Sequence, residues 1–404
     1  MSRRLPGELP PTAGLPLRWR DFLPGKGPLG ETLAGLLGTP PMQLECSGTS
    51  ALCIALQTLQ QLQPQRRAVV VPAYTCPLVA IAVHSLGLEL RLCDLAPGHF
   101  DFDHDALAAL CDADTLAVVP THLGGRVARV ERTCAIARRH GAFVVEDAAQ
   151  ALGALDHGQS VGLRGDIGIF SLAAGKGLSL FEGGLLLARD PDLRAALART
   201  SQRHIRSDWR RELRRSVELL GLAACYRPSL LPLAYGRPLR RALATGTPEE
   251  AVGDVFPLQV TQHRVGRWRR AIGNRAAARL PAFLDAGRRR ACHWQTLLRG
   301  LPGVQVHDDP PDAQGVWPML MLQLPDTRQR DAALRRLWTQ GHGVSRMFIH
   351  ALPDYAYLRG IVPAVDMPNA RDFAARMLTI GNSPWLDDAR FEIIVEELRA
   401  ALAA

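Results

Sequence analysis

The chain has 404 residues, of which 47% are hydrophobic and 22% charged, a balance that is typical of a globular protein and excludes an extensively disordered one. Its formal net charge of +9 favours anionic partners such as a nucleotide or a phosphate, but does not select among them. The eight cysteines include no Cys-x-x-Cys pair, which argues against a metal site and favours reduced thiols in the cytoplasm.

Short apolar runs alternate with helical segments through the first half of the chain. Strands are predicted at Ala68–Val71, Leu88–Leu92, Leu116–Val119, Phe143–Val145, Ile167–Leu172 and Gly184–Ala188. Helices are predicted between them at Ser50–Leu62, Pro77–Leu86, Asp103–Leu110 and Val130–His140. This alternation is typical of an α/β domain with a mostly parallel sheet, whose functional site lies at the ends of the strands.

The second half of the chain has a different character. An arginine-rich helical insertion is predicted at about 200–245, followed by a long amphipathic region from about Gln259 to Leu298. The remainder indicates a small α+β domain with a strand and two helices, predicted at Trp317–Leu324, Gln329–Gln340 and Asp387–Leu402. We therefore predict a large domain at 1–255, which includes the insertion, and a connecting helix with a small C-terminal domain at 256–404.

The most apolar long stretch, Leu219–Tyr235, lies inside the insertion. An arginine and two prolines interrupt it, so it is too broken to cross a bilayer as a helix. Arginines flank it at positions 210, 211, 214, 215, 237, 240 and 241. An insertion packed on the domain surface explains this pattern, and peripheral binding to a membrane is the less favoured alternative. The N-terminus has no apolar core, so we expect neither a signal peptide nor a membrane anchor.

Only two of the 48 basic residues, Lys26 and Lys176, are lysines. Lys176 lies in the segment 170–177, where a loop is expected. An arginine would supply the same charge, but only lysine has an amine that loses its proton and attacks a carbonyl carbon. The sequence therefore indicates a Schiff-base lysine for a pyridoxal cofactor. The alternative is that Lys176 is a chance survivor in an arginine-rich chain, as Lys26 is.

A pyridoxal cofactor also needs an anion near its ring nitrogen, and Asp147 ends the predicted buried strand that contains Val144 and Val145. An aspartate there would keep the pyridine nitrogen protonated, so that the ring draws electrons from the substrate carbon. Glu146 should point to the other face of the strand. The alternative is that Asp147 caps the turn that follows it.

The phosphate of the cofactor needs hydrogen-bond donors, and the segment Cys46–Ser50 precedes a long apolar helix. Gly48 permits close approach of the backbone, and Thr49 offers a hydroxyl beside the free N–H groups of the helix N-terminus. Ser171 could add another donor. The alternatives are a simple helix cap at residues 47–50 and a local backbone hydrogen bond at Ser171.

These motifs have a fixed order between about residues 40 and 200. The chain reads Ser-Gly-Thr-x-Ala-Leu, Val-Pro-x-x-Thr, Glu-Asp-x-Ala-Gln, Gly-Asp-x-x-x-Phe-Ser with the lysine, and Glu-Gly-Gly. The order resembles the DegT/StrS family of pyridoxal-phosphate-dependent sugar aminotransferases. Pro120–Gly124 and Ile349–Tyr355 are similar to the family's Val-His-Leu-Tyr-Gly and Leu-His-x-x-Pro-x-Tyr stretches.

The resemblance implies an α/β, fold-type-I transferase dependent on pyridoxal 5'-phosphate (PLP), with a mixed, mostly parallel sheet in its large domain. It implies that Lys176 forms the Schiff base, that Asp147 pairs with the pyridine nitrogen and that Gln150 contacts the cofactor. The implied phosphate ligands are Gly48, Thr49 and Ser171.

The chain departs from the family pattern in three places. Cys76 stands where the family places an aromatic ring that stacks on the cofactor, and Tyr74 lies two residues earlier. Ala173–Gly175 replaces the usual His or Pro-Thr before the lysine, and Phe181 stands where a Gly precedes Glu-Gly-Gly. The family's Gly-x-Asn-x-Arg stretch is not found at Gly253–Trp268. The pocket shape and the contacts with a second subunit are therefore expected to differ.

The reaction implied by the resemblance is transamination in the cytoplasm, from glutamate to a keto sugar attached to a nucleotide, in aminosugar or polysaccharide biosynthesis. A homodimer with its site at the interface is implied, without binding to nucleic acid. We expect His350 in the substrate pocket, although a lone histidine is more often structural. The alternatives are a PLP-dependent sugar dehydratase or eliminase, and a non-catalytic PLP-binding or basic surface-binding protein.

Overall fold

The computed structural model describes residues 7–23, 25 and 27–403, so Lys26 lies outside the described residues. The strands are β1 Gln43–Glu45, β2 Ala68–Pro72, β3 Glu89–Cys93, β4 Thr115–Val118, β5 Phe143–Asp147, β6 Leu155–Asp156, β7 Gln159–Ser160, β8 Ile167–Ser171, β9 Gly184–Leu187, β10 Gln305–Val306, β11 Ala313–Gln314, β12 Met319–Gln323, β13 Val344–Ser345 and β14 Met377–Gly381. The helices are α1 Leu29–Leu37, α2 Gly48–Leu62, α3 Pro77–Ser85, α4 His104–Leu110, α5 Val130–Arg139, α6 Pro191–His204, α7 Trp209–Cys225, α8 Arg237–Ala244, α9 Pro248–Val252, α10 Arg267–Ala277, α11 Leu280–Leu298, α12 Thr327–Leu337, α13 Pro368–Arg376 and α14 Asp388–Leu402.

The central sheet has seven strands in the order β1-β9-β8-β5-β4-β2-β3. The pairs from β8 to β3 are parallel, whereas β9 is antiparallel to both of its neighbours. Strands β2, β4 and β8 are buried along their whole length, because helices cover both faces of the sheet. The predicted α/β class with a mixed, mostly parallel sheet is confirmed.

The side chains of β8 and β9 alternate between the two hydrophobic cores that lie on either side of the sheet. Ile169 and Leu186 pack with α2 in one core, whereas Phe170, Leu185 and Leu187 pack with helices α1, α10 and α11 in the other. This alternation follows from the period of two in a strand. It holds the carboxyl end of β8, where the lysine loop begins, between two packed layers.

A second sheet of four antiparallel strands, β10-β12-β14-β13, lies in the C-terminal part of the chain. Its core includes Trp294 and Phe391, whose rings stack with centroids 4.7 Å apart. This arrangement matches the α+β character predicted there. The domain boundary at residue 255 stays a prediction, and it falls in the segment between α9 and α10.

The connecting region differs from the single helix predicted. Residues 259–266 have no regular structure, and two helices follow, α10 and α11. Pro281 lies in the first turn of α11, where a missing N–H breaks no helical hydrogen bond, and this position favours a new helix start. Among the helices of the described residues, none combines the length and the apolar content needed to cross a bilayer.

Candidate active site

A cavity of about 600 Å³ lies at the carboxyl ends of β1, β2, β4, β5 and β8. All seven residues predicted to bind the cofactor line it, although they come from four separate segments: Gly48, Thr49, Cys76, Asp147, Gln150, Ser171 and Lys176. This edge of a parallel sheet is where α/β proteins bind their ligands. The structure therefore brings the predicted residues together, and their individual roles stay predictions.

Lys176 lies in a tight loop between β8 and β9. The loop is closed by hydrogen bonds from the Leu180 N–H to the Leu172 carbonyl (2.8 Å) and from the Ala174 N–H to the Phe181 carbonyl (3.1 Å). The side chain of Lys176 is half-buried, and burial lowers the pKa of its ammonium group, against the opposing effect of Cys76 and Asp147. A lowered pKa increases the fraction of free amine, which is the nucleophilic form.

Asp147 is buried at the end of β5. Its Oδ1 accepts a hydrogen bond of 3.0 Å from the Ala149 N–H, so the predicted cap is present. No described residue donates a hydrogen bond to its Oδ2, although the side chain lines the cavity. Burial raises the pKa of Asp147, and the charge of Lys176 opposes this effect. One carboxylate oxygen is therefore used by the fold and the other is available to a ligand.

Glu146 points away from the cavity, as the strand alternation predicts. Its Oε2 accepts hydrogen bonds from His122 Nε2 (2.9 Å) and the Gly162 N–H (2.7 Å). Its Oε1 accepts from the N–H groups of Arg164 (2.8 Å) and Gly165 (2.6 Å). His122 Nδ1 accepts a hydrogen bond from the Ala128 N–H. The ring proton is therefore on Nε2, which donates the hydrogen bond to Glu146. These contacts fix the end of β5, which carries Asp147.

The N-terminus of α2 forms a cradle at one end of the cavity. The Ser47 side chain caps the helix by accepting the Ser50 N–H at 3.0 Å. The N–H groups of Gly48 and Thr49 have no partner within the helix, as at any helix start. A side chain at Gly48 would lie 3.1 Å from the Ser171 Cβ, and one at Gly184 would overlap the Ser47 carbonyl. Glycine at these two positions therefore lets α2, β8 and β9 converge.

Gln150 connects the cavity to the turn that follows β4. Its Oε1 accepts a hydrogen bond of 2.6 Å from the Gly124 N–H. Gly124 has a φ of +59°, in the left-handed region that favours glycine. The amide of Gln150 is thus held in the cavity wall by a backbone position that few other residues adopt.

Cys76 lines the cavity at the start of α3, and burial raises the pKa of its thiol to about 12. Tyr74 does not replace the missing aromatic ring. Its hydroxyl donates to the Phe348 carbonyl (3.1 Å) and accepts from the Phe348 N–H (3.2 Å), and its ring packs against Phe373 in the core. The side chain at the usual stacking position is therefore a neutral thiol.

His350 is not brought to the cavity. Its Nε2 lies 2.7 Å from Glu249 Oε1, and its ring packs edge-on against Tyr355. Its neighbours Met347 and Phe348 line the cavity instead. The contacts of His350 within the described chain are structural, and its role toward a substrate stays a prediction.

Sequence reasoning missed the charged residues of the outer wall of the cavity. Glu182 and Arg215 form an ion pair there, and Arg215 Nη1 also binds Glu218 Oε2 at 2.7 Å. Arg346 donates from Nη2 to the carbonyls of Ile349 (2.7 Å) and Ala374 (2.8 Å). Burial lowers the pKa of Arg346 to about 10. No pattern distinguishes two arginines among the many in the chain.

Asp254, another unpredicted residue of this wall, organises the segment that precedes α10. Its Oδ2 accepts hydrogen bonds from the Tyr355 hydroxyl (2.6 Å) and the Ile349 N–H (2.8 Å). Burial raises its pKa to about 6. The similarity of Ile349–Tyr355 to a family motif was the only signal that this region belongs to the site. The described residues contain no cluster of three or more His, Cys, Asp or Glu side chains that could hold a metal ion.

Two comparisons relate the sequence to known proteins, one with a family model and one with individual relatives. The model of the DegT/DnrJ/EryC1/StrS aminotransferase family matches residues 29–224 and 259–399. The protein MosB of Rhizobium meliloti is 40% identical over 147 residues, which are 36% of this chain and 29% of MosB. A dTDP-4-dehydro-2,3,6-trideoxy-D-glucose 4-aminotransferase of Saccharopolyspora spinosa is 26% identical over 94% of this chain and 90% of its own length.

Among solved structures, Spr1654 of Streptococcus pneumoniae in its PLP form superimposes with a TM-score of 0.72 at 16% identity. The alignment covers 99% of both chains, and at this identity it shows the fold. The prediction of a fold-type-I transferase is thus confirmed. Since the family model spans most of the sequence, on both sides of residues 225–258, the chain belongs to the DegT/DnrJ/EryC1/StrS aminotransferase family.

Proposed function

We propose that the protein is a PLP-dependent aminotransferase that moves an amino group from a donor such as glutamate to a keto sugar attached to a nucleotide. One observation carries the proposal: seven residues from four segments, including Lys176 and Asp147, line a single cavity at the strand ends. Family membership supports the reaction type. The name of the Saccharopolyspora spinosa relative, a dTDP-dehydrosugar aminotransferase, supports the substrate class.

The cavity fits a phosphate-bearing aromatic aldehyde. The close approach at Gly48 and Gly184 leaves two backbone N–H groups at the α2 terminus for an anion, with the Ser171 hydroxyl beside them. Asp147 Oδ2 offers an acceptor, and Lys176 offers an amine. When bound, PLP supplies an aldehyde that takes up an amino group and a ring that draws electrons from the adjacent carbon.

Lys176 has two tasks in this proposal. Its amine, with a pKa lowered by burial, holds the aldehyde carbon until the amino donor replaces it. The freed Nζ would then take the proton from the α-carbon of the donor and deliver it to the former aldehyde carbon, as general base and acid. Both tasks require a group that can lose its proton, which an arginine cannot do.

Asp147 acts as the partner of the ring nitrogen. A protonated nitrogen beside Oδ2 stabilises the carboxylate, because opposite charges favour each other's ionised form. The hydrogen bond between Glu146 and His122 keeps this carboxylate in place; His122 is part of the cavity wall and Glu146 is not. Cys76 offers a neutral, apolar contact to the ring in place of aromatic stacking.

Arg346 of the outer wall supplies positive charge to an anionic substrate, whereas the charge of Arg215 is compensated by Glu182 and Glu218. The guanidinium of Arg346 is fixed by two carbonyls, so it meets a carboxylate or a diphosphate with little loss of side-chain entropy. Nε of Arg346 has no partner among the described residues, so it remains able to form a charge-assisted hydrogen bond with a ligand in the cavity.

A homodimer that completes the cavity belongs to the same proposal. Val255 and Leu258 are about half exposed, while Phe256 and Pro257 between them line the cavity. Apolar side chains at the cavity mouth are typical of a surface that a partner covers. All eight cysteines are free thiols, which supports a cytoplasmic location.

The test is the visible absorption spectrum of the protein with PLP, before and after L-glutamate, in wild type and Lys176→Ala. We expect a cofactor band in the wild type that glutamate bleaches, and neither band nor response in the variant. A bleached protein should then aminate a keto sugar linked to a nucleotide, detected by mass. Retention of the band with no response to any amino donor would contradict the aminotransferase and favour elimination or a non-catalytic binding protein.

A further inference from the structure

The outer face of α7 is apolar, although it points away from the protein. Trp209 is 70% exposed and Val217 59% exposed, and Leu213 and Leu220 lie on the same face at helical spacing. The exposed arginines Arg210 and Arg214 lie beside these side chains, and Arg214 Nε donates to Glu218 Oε1 at 3.0 Å. A surface helix normally shows the opposite pattern, with polar residues outward.

Both carboxylates of α7 are paired with arginines. Glu212 forms two hydrogen bonds with the buried Arg269, from Nε (2.8 Å) and Nη2 (2.6 Å). Glu218 binds Arg215 at 2.7 Å, and Leu219 is fully buried beneath the helix. The helix is thus anchored by its inner face, and folding does not explain why its outer face is apolar.

The rest of the insertion has the same composition. Between residues 200 and 245 there are ten arginines and three acidic residues, so this segment carries seven of the nine net positive charges of the chain. Beyond α7, Leu230 and Leu233 are exposed, as are Arg237 and Arg241 of α8. Residues 225–258 are outside the match to the family model. Leu230, Leu233, Arg237 and Arg241 therefore lie outside the matched region, whereas α7 lies within it up to residue 224.

We propose that this face, the outer face of α7 with Leu230, Leu233, Arg237 and Arg241, docks the protein on an anionic lipid bilayer. Trp and Leu side chains would enter the boundary between headgroups and acyl chains, and the arginines would pair with lipid phosphates. A helix with an apolar face and flanking arginines lies in the plane of such a surface. This inference is independent of the reaction in the cavity.

A second copy of the chain is a poorer occupant on electrostatic grounds. A two-fold contact would place the same patch against itself, and the excess arginines of one copy would meet those of the other, because Glu218 is already shared by Arg214 and Arg215. A nucleic acid would satisfy the arginines but not the exposed Trp209, Leu213 and Val217. An anionic bilayer satisfies both the charge and the apolar side chains.

The experiment is vesicle co-sedimentation of the full-length protein with phosphatidylcholine alone and with phosphatidylcholine mixed with phosphatidylglycerol, at low and high salt. The test variant is Leu213→Glu with Val217→Glu, and the matched control is Leu62→Glu, an exposed leucine at the end of α2. We expect binding to the anionic vesicles only, weakened by salt, and reduced at least about tenfold in the double variant but not in the control.

Three results would overturn the proposal. These are no binding of the wild type at low salt, undiminished binding of the double variant, and a change from dimer to monomer in the double variant by light scattering. The last result would assign the face to contact between copies. Transaminase activity in solution is measured on the same samples, and it should be equal in all three proteins. Failure of lipid docking and failure of the proposed reaction are thereby distinguished.

Discussion

Glu146 accepts a buried hydrogen bond of 2.9 Å from His122, a residue of the cavity wall, on the opposite side of the strand from Asp147. The same carboxylate accepts three backbone N–H groups from the loop that precedes β8. This pairing joins the segment after β4 to the loop before β8. The position of Asp147 thus depends on a residue that touches nothing in the cavity.

Replacement of Glu146 by Ala should destabilise the protein by about 3–5 kcal/mol, because buried donors lose their acceptor. Glu146→Gln keeps one acceptor oxygen and should be intermediate. The measurement is urea unfolding, with Glu131→Ala on the exposed side of α5 as the control, expected within about 0.5 kcal/mol of wild type. Equal stability of Glu146→Ala and wild type would show that the cluster contributes nothing.

Lys176→Arg should retain the fold and lose the reaction. The guanidinium keeps the positive charge but has no amine to hold the aldehyde or to move a proton, so turnover should fall at least about 10²–10⁴-fold. The visible cofactor band and the far-ultraviolet circular dichroism are measured together. Lys26→Arg, the same substitution at the second lysine, is the matched control. Measurable turnover of Lys176→Arg would remove Lys176 from the chemistry.

Phe181 should tolerate glycine better than alanine. Its φ is +66°, and the left-handed region costs a residue with a Cβ about 1–2 kcal/mol relative to the right-handed one. Both substitutions remove the ring and its contact with the Arg215 guanidinium, 5.7 Å from the ring centroid, so their difference isolates the backbone. We expect Phe181→Gly to be about 1 kcal/mol more stable than Phe181→Ala in thermal unfolding. The reverse order would exclude strain at this position.

The buried histidine His307 should make the protein less stable in mild acid. His307 is buried, and burial lowers its pKa to about 3, with further lowering from His99 and Arg376. The ordinary value of about 6.5 applies to the unfolded chain, so the unfolded state binds the proton first as the pH falls below 6.5. Stability should therefore be complete above pH 6.5 and decrease below it, by about 2 kcal/mol at pH 5 from His307 alone.

The measurement for this histidine is urea unfolding at pH 7.5 and pH 5, in wild type and His307→Phe. Phenylalanine keeps an aromatic ring beside Phe100 and Phe373 but does not titrate. We expect the variant to lose less stability than the wild type between the two pH values. An equal loss in both proteins would assign the acid sensitivity to other groups.

Cys76→Phe should bind PLP more tightly than the wild type. A ring at this position can stack on the cofactor, a contact worth about 0.5–1.5 kcal/mol, or roughly two- to twelvefold in the dissociation constant. Equilibrium dialysis gives the constant, with Cys76→Ser as the control for loss of the thiol. Weaker binding of the phenylalanine variant would show that the cavity accommodates the small thiol beside the ligand better than a ring.

The parallel sheet and the residues on its strand ends are predictable because local patterns define them. Apolar runs predict β2, β4, β5 and β8, and Lys176 is conspicuous by its rarity. The residues of the outer wall of the cavity could not be predicted from local patterns. Asp254 and Arg346 reach the cavity by tertiary contacts between segments far apart in the chain, and their residue types have no distinctive local signal. His350 was expected at the site from a motif, but its hydrogen bond with Glu249 directs it elsewhere.

Because lysine is scarce in this chain, a protease can report on the half-buried amine of Lys176 in the loop between β8 and β9. A lysine-specific protease cuts this chain only after residues 26 and 176. A cofactor fixed to Lys176 by borohydride reduction would protect the second position, and the peptides on either side of it would stay joined. A simple fragment map would then report how much of a purified sample carries the cofactor, without a chromophore or a substrate.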